Sequence, residues 1–193
     1  KINKQSGDLK QVEGNISSNG NRPVTIDFTA VDETKKEFWV VIGNQWGTPT
    51  VLYDDDKLKR YPSDAWLAED LTKKHESDKD RSLELFKLDA TSGKLTFVKT
   101  LAEYVRQNGG PADVKFSPDG KKLAVTTWGI PHFFSKDPVL EETKPSRVFV
   151  YDFKDGNVSN ARFFEEEGLI GATGFHWNNN SEMLYISYFN LIT

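Results

Sequence analysis

The sequence predicts an all-β fold made of repeated four-stranded antiparallel units, the arrangement of a β-propeller. Two observations predict it. Short apolar or alternating segments recur along the chain with turn sequences between them, which is the pattern of half-buried strands. The segments also recur in a fixed order: a short strand opened by glycine, a loop, a strand ending in Phe or Trp, a polar turn and an apolar strand. That order is followed three times, beginning at Gly7, Gly93 and Gly156.

The predicted strands fall into two whole blades and half of a third. The strands of the first blade, from the axis outward, are 22–29, 37–43, 82–89 and 94–99. The strands of the second blade are 112–117, 121–127, 147–153 and 157–164. The third blade holds only 171–177 and 182–189, and residues 1–12 read as the outer hairpin of a preceding blade. We therefore divide one propeller domain, 1–193, into the segments 1–12, 22–99, 111–164 and 171–193.

The turns between these strands are explicit in the sequence. Pro118-Asp119-Gly120 and Asp155-Gly156 combine a residue that favours tight turns with a glycine that accepts positive φ. Ser82–Asp89 alternates apolar and polar residues, as a half-buried strand does, and Arg147–Phe153 is more fully apolar. Strands joined by such short turns pair in antiparallel order.

The count of blades predicts that the chain is part of a larger ring. It holds about two and three-quarter blades, whereas a closed propeller has roughly 4–8. An open stack would expose apolar faces and unpaired strand edges. We expect the missing blades in the rest of the polypeptide or in a second chain produced by cleavage. The alternative interpretation is a complete small β-sandwich.

Composition excludes several classes of function. The chain has 25 basic and 29 acidic residues, a net charge of −4, which argues against nucleic-acid binding. No apolar stretch is long enough to span a membrane as a helix. Cysteine is absent, so thiolate metal sites and cysteine nucleophiles are excluded. Three Asn-x-Ser sequons, at Asn15, Asn157 and Asn179, are potential glycosylation sites and lean toward an extracellular location, although the compartment is not fixed.

The repeats resemble the lactonase-like propeller family, which includes bacterial 6-phosphogluconolactonase and fungal carboxymuconate-lactonising enzyme. The segment Asn108–Val125, with its Gly-Pro followed by Pro118-Asp119-Gly120-Lys121, carries the similarity, together with Arg147–Phe153 and the Asp-Gly turn after it. Related turns occur in other propellers, including surface-layer-type (YVTN-like) and translocation-associated ones. The resemblance covers nearly the whole chain and implies a seven-bladed ring with a site at one mouth of the central channel.

The sequence departs from the family where its enzymes place an Arg-His pair facing the channel. The matching positions hold Val24 and Thr25, Ala112 and Asp113, and Thr173 and Gly174. An anionic lactone wants cationic donors, so these blades lack the expected pair. The missing blades are where such a pair would then lie.

One face of the predicted ring carries two long insertions, 47–81 and 129–146, where a loop of about 4–6 residues is usual. They suggest a lid or a partner surface; the alternative is a surface excursion without a role. Residues 63–74 read as a short capped helix within the first insertion. The acidic run Asp54–Asp56 lacks the alternation of a calcium loop and is interpreted as a solvated turn.

Six residues near this face are candidate site residues. Asp113 occupies the position of the family's channel histidine and is a candidate general base, cation ligand or structural acceptor. His132 is the second candidate catalytic residue, since histidine titrates near neutral pH. The candidate ligand-binding residues, one cation and three residues at the ends of second strands, are Arg22, Asn44, Trp46 and Trp128. His176, between Phe175 and Trp177, is interpreted as structural.

Two functions remain open from the sequence. The first is a propeller that binds a small molecule or a protein through its channel face and long loops. The second is a hydrolase or isomerase of a small lactone that uses Asp113 and Arg22. No cofactor is predicted, although a structural cation is compatible with Asp113, and no metal site is predicted from the three scattered histidines.

Overall fold

The computed structural model describes residues 17–18, 23–45, 81–104, 110–129, 145–167 and 169–190. Ten strands and no helix occur in these ranges. Accordingly, none of the described segments is a helix long and apolar enough to cross a membrane. The helix predicted at 63–74, the acidic run and the hairpin predicted at 1–12 lie outside the described residues.

The strands form three antiparallel sheets in sequence order. Sheet one consists of β1 (Pro23–Asp32), β2 (Glu37–Asn44), β3 (Ser82–Asp89) and β4 (Lys94–Glu103), paired in the order β1-β2-β3-β4. Sheet two consists of β5 (Pro111–Phe116), β6 (Lys122–Thr127), β7 (Arg147–Lys154) and β8 (Asn157–Glu165), in the same order. Sheet three pairs β9 (Leu169–Trp177) with β10 (Leu184–Asn190).

The all-β, four-stranded antiparallel organisation predicted from the sequence is thus confirmed. β1 and β4 run several residues further than predicted. The reason for β1 is that its far end continues to pair with β2 through Ala30 and Phe38. β4 is prolonged because Glu103 still pairs with Ser82, past two register shifts in the β3–β4 ladder. At such a shift the alternation of side chains between the two faces is interrupted, whereas the pairing of the strands continues.

The β7–β8 hairpin has the turn that its sequence predicts. Asp155 has φ 49° and Gly156 has φ 73°, and two positive values in a two-residue loop identify a type I′ turn. Glycine has a second role here, because a Cβ on Gly156 would lie 3.0 Å from the Trp39 ring of sheet one. The turn therefore packs closely against sheet one.

Sheets one and two share one hydrophobic core. β2 and β3 contribute Val41, Leu83 and Leu85, all fully buried, and these pack against buried residues of sheet two. The sheet-two members of the cluster are Val114, Phe116, Leu123, Val125, Tyr151 and Phe153. One polar pair closes the cluster: the Tyr104 and Tyr151 hydroxyls are 3.0 Å apart. Burial raises the pKa of the Tyr104 phenol well above its ordinary value, so the pair is uncharged at neutral pH.

Sheet three packs on the other face of sheet two. Ala124 of β6 is fully buried against Phe175 and Trp177 of β9. Leu184 and Ile186 of β10 border this cluster. His176 and Tyr185 are register partners on the opposite, exposed face. Sheet two thus packs against sheet one with one face and against sheet three with the other.

Candidate functional site

Backbone hydrogen bonds join sheets two and three at the end where β5 and β9 begin. The Trp128 N–H donates to the Gly110 carbonyl at 3.2 Å, and the Trp128 carbonyl accepts from the Gly171 N–H at 3.1 Å. Ser146 reinforces the junction, since its hydroxyl donates to Trp128 and accepts from the Ala172 N–H. The backbone at Gly110 also approaches Gln45 so closely that a Cβ there would lie 1.7 Å from the Gln45 carbonyl oxygen. We call this end, defined by Gln45, Gly110, Trp128 and Gly171, the junction face.

Asp113 lies just inside the junction face and connects all three innermost strands. Its Oδ1 accepts from the Thr25 hydroxyl of β1 at 2.9 Å and from the Val114 N–H at the same distance. Its Oδ2 accepts from the Phe175 N–H of β9 at 3.3 Å and lies 3.5 Å from the Lys115 ammonium. The side chain is 16% exposed. These contacts are those of a structural acceptor, one of the three alternatives raised for Asp113.

The contact between Asp113 and β9 repeats one made by the preceding sheet. Thr25 and Asp113 follow Pro23 and Pro111 by two residues, and both β-ladders have a register shift at this point. The Thr25 hydroxyl accepts from the Val114 N–H at 3.1 Å, as Asp113 accepts from Phe175. In each case a polar side chain on one inner strand pairs with the backbone of the next.

Asp27 makes a second bond of this kind, two residues further along β1. Its Oδ2 accepts from the Phe116 N–H at 2.7 Å. Burial raises the pKa of Asp27 above its ordinary value, and this outweighs the opposite effect of the Phe116 and Phe28 N–H groups and of the Lys115 ammonium. At the matching step between sheets two and three, the Trp177 indole donates to the Lys115 carbonyl at 3.3 Å.

Asn44 lies inside sheet one, in a buried polar cluster. Its Nδ2 donates to the Ser82 hydroxyl and to the Ser18 carbonyl, and the side chain is fully buried. Ser82 in turn donates to Glu84 at 2.7 Å, and Thr100 donates to the other Glu84 oxygen at 2.8 Å. Asn44 Oδ1 is buried with no hydrogen-bond partner in the described ranges. The cluster fixes the ends of β2 and β3, and Asn44 offers little surface to an external ligand.

The other predicted site residues divide into two groups. Trp128 is half-buried at the junction face, so it stays available as a rim residue. Arg22, Trp46 and His132 lie outside the described residues. The structure therefore brings Asp113 and Trp128 to one end of the sheets, and it adds Thr25, which the sequence analysis had named only as a substitute for a family residue.

Two of the three sequons fall on described hairpins. Asn157 is exposed at the start of β8, where its amide donates to the Asp155 carbonyl and its oxygen accepts from Lys99. Asn179 is exposed, but the Ser181 of its sequon is buried, and the Ser181 hydroxyl accepts from the Asp119 N–H of sheet two. Asn15 is not among the described residues.

Neither Asp27 nor Glu84 was identified from the sequence as a structural hydrogen-bond acceptor. A signal for Asp27 was available, since an acidic residue on an inward-facing strand position needs a donor from a neighbouring element. Glu84 alternates with Leu83 and Leu85, so periodicity assigned it to a solvent-facing position, whereas it is 2% exposed. Among the described residues, no three His, Asp or Glu side chains gather as metal ligands would.

Comparisons with known proteins add only distant likenesses. No protein-family model matches the sequence, and no curated protein matches it. Among solved structures, the Dos1 propeller superposes with a TM-score of 0.39 at 12% identity, over 83% of this chain and 28% of that one. A protein of Bacteroides fragilis provisionally assigned as a 6-phosphogluconolactonase gives a TM-score of 0.36 at 18% identity, over 57% of this chain and 29% of that one. The chain thus spans less than a third of either protein, and likenesses at this level carry no argument about activity.

Proposed function

We propose that the three sheets are consecutive blades of a β-propeller and that the propeller is a binding scaffold. The ligand, a small molecule or a protein, binds at the junction face and the long loops that follow Gln45 and Gly129. The repeated strand order supports the architecture, because each four-stranded sheet packs on the next through its innermost strand. Further blades continue the series beyond the described sheets.

One observation carries the choice of a scaffold over an enzyme. Asp113 is the predicted catalytic residue that the structure describes, and its two carboxylate oxygens are used by Thr25, Val114 and Phe175. A general base has to reach the proton of a substrate, and Asp113 is mostly buried and already accepts hydrogen bonds from both neighbouring sheets. Its contacts favour a role in aligning the inner strands, and an aligned rim is what a binding face requires.

Hydroxyl-radical footprinting of the full-length protein tests the proposal. The protein is oxidised alone, with the macromolecular fraction of an extract of its natural source, and with the small-molecule fraction of the same extract. We expect one fraction to protect Trp128, and the fraction identifies the class of ligand. Phe163, which is 56% exposed on the outer strand β8, is the matched control and should be oxidised equally in all three samples. Unchanged oxidation of Trp128 in both fractions contradicts the proposal.

The lactonase alternative is tested separately, by substituting Asp113. The full-length protein and its Asp113→Asn variant are assayed for proton release on a panel of five- and six-membered lactones. The amide keeps one acceptor oxygen but cannot act as a base. We expect no turnover above buffer in either protein. Turnover by the wild type that falls at least about 100-fold in Asp113→Asn, the lower end of a general base's contribution, establishes the enzyme instead.

A further inference from the structure

The face of sheet one that points away from sheet two has an exposed apolar edge on its innermost strand. Ile26 and Phe28 of β1 are each 63% exposed. The residues at the same two positions of the other inner strands are buried: Val114 and Phe116 in β5, and Phe175 and Trp177 in β9. In both of those strands the preceding sheet provides the cover. Among the described residues, no sheet lies against Ile26 and Phe28.

The backbone N–H groups at these positions also indicate that another sheet packs against β1. In β5 the N–H groups of Val114 and Phe116 are turned toward sheet one, where Thr25 and Asp27 accept from them at 3.1 and 2.7 Å. β1 pairs with β2 in the register with which β5 pairs with β6, including the shift two residues after the proline. The N–H groups of Ile26 and Phe28 consequently lie along the open edge of β1, in the orientation of those two donors.

We infer that Ile26 and Phe28 are the seat of a further four-stranded antiparallel sheet of this repeat series. Its apolar second and third strands cover the two side chains, as buried residues of β2 and β3 form one cluster with Val114 and Phe116. Its innermost strand carries a Thr, Ser, Asp or Asn that accepts from the Ile26 N–H, and a second acceptor two residues later for the Phe28 N–H. The inference rests on the proposed scaffold and specifies one of its interfaces.

A second copy of this chain does not fit the seat. The free face of sheet three is the surface that such a copy would offer in head-to-tail order. Its inner strand has Gly174 where Thr25 and Asp113 stand in β1 and β5, so it provides no side-chain acceptor for the first donor. Its second strand offers the hydroxyl-bearing Tyr185 and Ser187 at the positions that Val41 and Gly43 occupy in sheet one. The occupant therefore belongs to a sheet other than those described.

Photo-cross-linking of the full-length protein tests the inference. Phe28→p-benzoylphenylalanine places the reactive group in the seat, and Phe163→p-benzoylphenylalanine places it on an outer strand with comparable exposure. We expect a cross-link at position 28 to a peptide with the pattern of an apolar strand, flanked within one blade by an inner strand that carries the two acceptors. A cross-link to residues 169–190 indicates a second copy and overturns the inference, as does a yield no greater than at position 163.

Amide hydrogen exchange on the unmodified full-length protein covers the case in which the benzoyl group blocks the seat. We expect the amides of Ile26 and Phe28 to exchange as slowly as those of Val114 and Phe116. This is roughly tenfold slower than for an amide at an open edge, the factor for one added hydrogen bond. Exchange at the open-edge rate overturns the inference. Neither experiment measures the protection of Trp128. Failure of this inference and failure of the proposed ligand site are therefore distinguishable.

Discussion

Asp27 on the inner strand β1 links sheets one and two, and its pKa is shifted in the opposite direction from the pKa of Asp119 in the β5–β6 turn. Asp27 is buried between β1 and β5, and burial raises its pKa. Asp119 lies in the exposed β5–β6 turn, where the Ser117 hydroxyl at 2.6 Å lowers its pKa. A carboxylate with a raised pKa opposes folding when it is charged, whereas one with a lowered pKa supports folding. Their effects on stability must therefore respond to pH in opposite directions.

We predict that acidification stabilises the wild type relative to the Asp27→Asn variant. The folded protein binds a proton at Asp27 before the unfolded chain does, so the unfavourable contribution disappears as the pH falls toward 3.8, the ordinary pKa. The asparagine oxygen keeps the bond from the Phe116 N–H and has no such dependence. The measurement is the free energy of unfolding in urea from pH 7 to about pH 3, a range that extends below the ordinary pKa.

The Asp119→Asn variant is the control for this prediction, and its difference from the wild type must change in the other direction. Because the pKa of Asp119 is lowered, its favourable contribution is lost as the pH falls through the folded pKa. Equal pH dependence of the two differences would contradict the assignment of Asp27 as a carboxylate whose charged form is disfavoured by burial.

The strands were predictable because their residues carry the signal locally. The alternation in Ser82–Asp89 and the Asp155-Gly156 turn each depend on a few neighbouring residues, and both are found where expected. The partners of Asp113 were not predictable, since they lie 88 and 62 residues away on β1 and β9. Periodicity assigns a residue to a face of its strand, but the stacking of sheets decides what that face meets. The burial of Asn44 and Glu84 was missed for the same reason.

Gly110 illustrates how closely two elements approach at the junction face. We predict that Gly110→Ala destabilises the protein by about 1–3 kcal/mol, the usual cost of overpacking, because the new methyl group would lie 1.7 Å from the Gln45 carbonyl oxygen. For a chain of this length, each kcal/mol lowers the melting temperature by about 2–4 °C. Circular dichroism during heating provides the measurement.

Gly174→Ala is the matched control, as Gly174 also lies on an inner-strand segment. Among the described residues, a Cβ there would meet the Ser187 hydroxyl alone, at 3.5 Å, which is an ordinary van der Waals distance. We expect its melting temperature to remain close to that of the wild type. An equal decrease in melting temperature in the two variants would mean that the close approach of Gly110 to Gln45 does not cause the destabilisation.

Across the whole molecule, the sheets are joined in series and with unequal strength. Sheets one and two share a continuous apolar cluster that includes Leu85, Leu123 and Phe153, together with the Tyr104–Tyr151 pair. The cluster between sheets two and three is built on Ala124, Phe175 and Trp177. In repeat architectures, stability is approximately a sum over units and the interfaces between neighbours. The larger interface should therefore make sheets one and two open together.

We predict that Leu85→Ala lowers the free energy of unfolding by about 2–5 kcal/mol, the range for truncating a buried leucine, and that the loss extends to sheet two. Leu85 is fully buried at the interface and belongs to the cluster that contains Leu123 and Val125 of β6. Hydrogen exchange followed by mass spectrometry should show faster exchange in β2–β3 and in β5–β6. Val98→Ala, at a position 43% exposed on β4, is the control and should leave both unchanged. Faster exchange confined to sheet one would show that the sheets open independently, and the series would then lack the coupling that a rigid binding face requires.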